Sequence, residues 1–65
     1  MASHPKYELK QAKNGDYYFN LTAKNGQVIA TSEMYKSKAA AENGIASVRE
    51  NAPNAQIEDQ SVMAA

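Results

Sequence analysis

The chain has 65 residues, 43% of them hydrophobic and none cysteine, and its seven basic residues balance seven acidic ones. That length makes one domain with one small core, the lack of cysteine excludes disulfides and thiolate metal sites, and the neutral balance lacks the basic excess of nucleic-acid binders. No apolar stretch approaches the roughly eighteen residues of a membrane span. Met1-Ala2-Ser3-His4-Pro5-Lys6 also lacks the apolar run of a secretory signal, which points to a cytoplasmic setting.

A chain this short buries only about 60% of its unfolded surface, and small scaffolds without covalent staples often associate. A partner subunit is therefore expected. Charge is divided unevenly. Residues 1–38 carry six lysines against Glu8, Asp16 and Glu33, whereas residues 39–65 carry Arg49 against Glu42, Glu50, Glu58 and Asp59. Solvated charge on each element is the reading adopted, with head-to-tail pairing of two copies as the alternative.

Residues 1–5 read as a disordered lead, and His4, the only histidine, as a solvent-facing side chain within it. Residues 7–12 alternate, with Tyr7, Leu9 and Gln11 on one face and Glu8 and Lys10 on the other. Residues 17–23 alternate more strongly, with Tyr17, Phe19, Leu21 and Ala23 opposite Tyr18, Asn20 and Thr22. Both patterns predict half-buried strands. Asn14-Gly15 and Asn25-Gly26 are hairpin signals, because Asn and Gly tolerate positive φ. A two-residue loop at the first would pair Leu9 with Asn20. A three-residue loop, Lys13-Asn14-Gly15, pairs Leu9 with Phe19 and Tyr7 with Leu21 and gathers one apolar face. At the second turn the loop Lys24-Asn25-Gly26 places Ile29 opposite Leu21, whereas a two-residue loop places Val28 and Ala30 there. Ile29 inward is the favoured choice, and the third strand is apolar on both sides.

From Ser37 the period changes. Ala41, Ile45, Val48 and Ala52 form one stripe of an amphipathic helix, with Ser37 as N-cap and Asn51 and Pro53 ending it. Gly44 costs about 1 kcal/mol in a helix interior relative to Ala, and close approach of helix to sheet is its expected purpose. Residues 55–60 alternate weakly and predict a short fourth strand or an extended arm. Residues 61–65 are expected to fray. The architecture is α+β: a three-stranded antiparallel meander, then one amphipathic helix packed on one sheet face, with a possible short C-terminal strand (β-β-β-α-β).

Chemistry has few candidates. His4 has no second His or Cys with which to build a metal site. Ser32, Glu33, Tyr35, Lys36, Ser37 and Lys38 concentrate hydroxyls, one carboxylate and two lysines near a helix N-terminus, where backbone amides can hold an anion or small ligand. In the competing reading the serines satisfy backbone amides, Glu33 pairs with a lysine, and Tyr35 or Met34 plugs the core. No base is placed by sequence to activate either serine, so a hydrolytic version of this site has no visible support. Tyr18 alone among the aromatics is left outside, too little for a base-stacking platform, and nucleic-acid binding ranks third. No catalytic residue, cofactor or metal is expected.

Tyr7-Glu8-Leu9-Lys10, the run Asn14-Gly15-Asp16-Tyr17-Tyr18-Phe19-Asn20-Leu21, and the run Ala23-Lys24-Asn25-Gly26-Gln27-Val28-Ile29-Ala30-Thr31-Ser32-Glu33 resemble the YegP-like proteins. Tyr35-Lys36-Ser37-Lys38 and the run from Glu42-Asn43-Gly44 to Ala52 continue the resemblance, which covers residues 6–60 as one domain. It implies a small bacterial α+β domain, in the cytoplasm, that occurs as one copy that dimerises or as two tandem copies. By that analogy this chain is a homodimer, with Tyr18, Val28, Ala30, Ala55 and Ile57 as candidate contacts. The resemblance implies no substrate, cofactor or catalytic residue. Met34 departs from the pattern, standing where a small residue often fits.

Overall fold

Alternating apolar residues fold into a sheet here because two Asn-Gly turns reverse the chain between them. A computed structural model describes residues 4–61. Strand β1 spans Lys6–Gln11, β2 Tyr17–Thr22 and β3 Val28–Thr31, in the antiparallel order β1-β2-β3. The expected α+β meander with one following helix is the fold.

The first turn is the three-residue loop that facing requires. Gly15 takes φ 94, its N–H donates to Ala12 O at 3.0 Å, and Ala12 N–H donates to Asp16 O at 2.8 Å. Leu9 then pairs with Phe19 and Tyr7 with Leu21. The second turn has the same form, with Gly26 at φ 88 and Ala23 N–H donating to Gln27 O at 2.7 Å.

Ile29 does not follow from that loop as expected. A β-bulge between Leu21 and Thr22 pairs Thr22 with Val28 and Leu21 with Ala30, so Ile29 has no opposite residue. A bulge adds one residue to one strand and shifts the facing of everything beyond it. Ile29 is 61% exposed and Val28 50%; neither enters the core, and Ala30 takes the place opposite Leu21.

Beyond β3 the chain keeps following β2. Ser32 N–H donates to Phe19 O at 2.8 Å, and Tyr35 and Tyr17 exchange backbone bonds at 2.7 and 2.8 Å. Helix α1 then spans Lys38–Asn51. Ser37, with extended backbone, accepts from Ala40 N–H through its hydroxyl at 3.1 Å, the expected N-cap. Pro53 sits in a 3-10 turn over Ala52–Asn54 that closes the helix. Ala41 is fully buried, Ile45 and Val48 are half-buried, and Ala52 is exposed, so the expected stripe ends one residue early.

Helix α1 packs on β2 and β1 and does not reach β3. Its close approach is set at Gly44. A Cβ added there would strike the Tyr35 hydroxyl, lie 2.8 Å from Tyr35 Cζ and 3.2 Å from Phe19. Phe19 is the large apolar residue of the buried core. Tyr7 meets it edge-on at 6.0 Å and Tyr35 stacks on it at 6.3 Å.

Two further expectations are corrected. Residues 55–60 form no strand, and Ile57 is 98% exposed. Only Ala55 and Ile57 are apolar in that segment, and among the described residues it makes no backbone bond to a strand. His4 is not a free solvent-facing side chain: it is half-buried, with Nδ1 3.0 Å from Thr22 Oγ1. The rest of the expected lead, residues 1–3, and residues 62–65 of the expected tail lie outside the described residues.

Candidate functional site

The strand-to-helix segment runs from Ser32 to Lys38, and its geometry follows from what each side chain is already bonded to. The Ser32 hydroxyl accepts from Phe19 N–H at 2.9 Å and donates to Glu33 O at 2.8 Å. The Ser37 hydroxyl is committed to the helix cap. Tyr35 is half-buried between Phe19 and Gly44. Both serine hydroxyls and the tyrosine ring therefore take part in the packing and bonding of the fold.

The charged members of the segment lie outside. Lys36 Nζ is 3.7 Å from Asp16 Oδ1, and its side chain is 93% exposed. An exposed pair of this kind contributes about 0–1 kcal/mol. The expected partner of a lysine was Glu33, but Asp16 fills that role because the bridge at Tyr17 and Tyr35 brings Lys36 beside the end of the first loop. Glu33 and Lys38 are exposed. The structure joins Ser32 and Tyr35 to β2, places Ser37 at the start of α1, and forms no cavity among the described residues. No cluster of three His, Cys, Asp or Glu side chains occurs there either.

The other candidate set is a surface. Every residue of β3 is exposed, and so are Ala55 and Ile57. Val28, Ala30, Ala55 and Ile57 are thus open, while Tyr18 is half-buried. Ala30 faces the same side as Leu21, the side α1 covers over β1 and β2 alone. Among the described residues, β3 is therefore an exposed edge strand that the helix does not cover. Met34, 52% exposed, extends the apolar strip toward the helix.

Sequence reasoning missed one interaction: Thr22, only 1% exposed, bonds to both Lys6 O at 3.2 Å and His4 Nδ1 at 3.0 Å. A hydroxyl has one proton to give. With that proton on Lys6 O, His4 must donate from Nδ1, which fixes its tautomer. Alternation had placed Thr22 on the polar face, and no local signal announced the ring above it.

A profile described as "Domain of unknown function (DUF1508)" matches residues 12–59. The chain belongs to this family. Among curated DUF1508-family relatives, the UPF0339 protein YegP of Yersinia pestis is 68% identical over 47 residues, covering 72% of this chain and 42% of the relative. A UPF0339 protein of Bordetella pertussis is 56% identical over 55 residues, covering 85% and 50%. This chain therefore spans half or less of these relatives' length. Two solution NMR structures share the fold. A protein from Haloferax volcanii superposes with TM-score 0.77 at 32% identity, covering 89% of this chain and 98% of that one. A UPF0339 protein from Shewanella oneidensis superposes with TM-score 0.76 at 52% identity, covering 83% of this chain and 46% of that one.

Proposed function

We propose that this DUF1508 chain is a non-catalytic interaction module that works as a pair of identical units. The observation that carries this reading is β3: a strand with all four residues exposed, uncovered by the helix, ending an otherwise packed sheet. An open edge strand offers unpaired backbone groups and is a site for strand pairing. The nearby apolar residues Val28, Ile29 and Met34, together with Ile57 on the extended segment, supply surface that a second unit would remove from water. The match to 98% of one solved chain and 46% of another supports a unit used once or alongside a further segment. The cysteine-free sequence motivates a cytoplasmic setting within the same proposal.

Light scattering at micromolar concentration tests the pairing, with a species of twice the 7.1 kDa chain mass expected. Ile57→Asp is expected to move the population toward the single chain. A uniform 7.1 kDa species for the unsubstituted chain overturns the reading, and unchanged mass in the variant removes the arm from the interface. Phosphate titration followed by amide NMR separates the competing anion-site reading. The module reading expects residues 36–40 to stay unperturbed at millimolar phosphate.

A further inference from the structure

The chain contains three Asn-Gly steps, at Asn14, Asn25 and Asn43, and the fold gives each a different environment. We propose that Asn25-Gly26 is a site of spontaneous deamidation, ahead of Asn14-Gly15 and well ahead of Asn43-Gly44. In this reaction the glycine backbone nitrogen attacks the asparagine Cγ. The new N–Cγ bond closes a five-membered succinimide, the Cγ–Nδ2 bond breaks, and the proton lost from the backbone amide leaves with Nδ2 as ammonia. Water then opens the ring at either carbonyl and yields aspartate or isoaspartate, the latter with one extra methylene in the backbone. Glycine favours the step because no side chain obstructs the attacking nitrogen or restricts its dihedrals.

The two hairpin sites form a controlled pair. Lys13-Asn14-Gly15 and Lys24-Asn25-Gly26 are identical in sequence, and both glycines sit at positive φ in three-residue loops. Their side chains are held differently. Asn14 is fastened at both ends, Oδ1 accepting from Asp16 N–H at 2.9 Å and Nδ2 donating to Asp16 Oδ2 at 3.3 Å. Its leaving amide is thereby tied to a carboxylate, whose charge also opposes the anionic nitrogen that must form. Asn25 is held only through Oδ1, by Gln27 N–H at 3.0 Å. Among the described residues its Nδ2 has no bond, and the residue after Gly26 is neutral. Both loop glycine amides are held by one turn bond, Gly15 N–H to Ala12 O at 3.0 Å and Gly26 N–H to Ala23 O at 2.8 Å, so the two hairpin sites differ in the asparagine side chain. Asn43 lies inside α1, where the helical backbone on both sides is fixed away from ring closure.

The product would act where the fold is least covered. Deamidation replaces a neutral side chain by a carboxylate beside Lys24. The isoaspartate form lengthens the loop that sets the register of β3. The ring of His4 lies beside Gly26, close enough that a Cβ built there would be 3.4 Å from His4 Nε2. Lengthening the backbone at Asn25 changes the surroundings of that ring, so His4 reports the change from a distance in sequence.

The test is to incubate the full chain in warm, mildly alkaline buffer and to follow all three sites by peptide mapping with isoaspartate detection. An acidic species appears first, converted at Asn25, and the His4 ring resonances shift with it. Asn14 follows more slowly and Asn43 stays unconverted. In urea the Asn14 and Asn25 rates converge, and Asn25→Gln removes the first acidic species. Faster or equal conversion at Asn14 in the folded chain overturns the proposal, as does conversion of Asn43 or a ratio of Asn25 to Asn14 rates that is undiminished in urea.

Discussion

At Gly44 a single hydrogen atom stands where any other residue would put carbon against Tyr35 and Phe19. Alanine there gains about 1 kcal/mol of helix propensity, but overpacking a tight core costs about 1–3 kcal/mol. The obstructing atoms belong to rings already packed on each other, so the clash wins. Gly44→Ala is expected to lower stability by about 1 kcal/mol, read as a lower urea midpoint at unchanged slope. A different single-residue effect operates at Asp59. Its carboxylate accepts the Ser61 hydroxyl at 2.5 Å and the Ser61 N–H at 3.0 Å. Those bonds favour the charged form and hold its carboxyl below the ordinary value. In Ser61→Ala the Asp59 midpoint should rise toward that of a free aspartate, because the larger of the two contributions is the hydroxyl. Carboxyl-carbon NMR titration reads it. Because the folded value is depressed, whatever this turn contributes is present above the unfolded midpoint and fades as pH falls through the folded one.

Among the elements, α1 depends most visibly on one side chain. Ser37→Ala removes the acceptor for Ala40 N–H and should cost about 1 kcal/mol, measured by thermal or urea unfolding. The cap was legible because a serine preceded the change from period two to helical spacing. The first hairpin was legible for a stronger reason: only one loop length puts Leu9, Phe19, Tyr7 and Leu21 on a common face. The second hairpin obeyed the same loop rule, yet Ile29 escaped it. Val28 and Ile29 are both apolar, so alternation carries no parity there, and the bulge contains no glycine to advertise it. For residues 55–60 the pattern leaves strand and extended arm open, because weak alternation alone supplies neither a partner edge nor enough apolar surface, and the strand does not form. Ser32 and Ser37 are ambiguous for another reason, since a serine that caps or bridges and a serine that binds look identical in sequence.

For the molecule as a whole, the decisive asymmetry is coverage: one helix roofs two strands of three. A sheet covered in part and a core of few buried side chains give a marginal single chain. If two copies pair across the open strand, stability is linked to association, and the unfolding temperature depends on concentration. Melting curves of the unsubstituted chain are therefore expected to move upward with protein concentration, and those of Ile57→Asp to move less. An unfolding temperature independent of concentration would count against pairing in the folded state.

The aromatic arrangement around Phe19 has an experimental use as well. The chain contains four tyrosines and no tryptophan, and two of those tyrosines, Tyr7 and Tyr35, flank Phe19 directly, one edge-on and one stacked. Tyr35 comes from the segment that leads into α1, whereas Tyr7 comes from the first strand. The near-ultraviolet dichroism of tyrosine thus reads out, without any introduced label, whether the two ends of the fold have closed on the same ring.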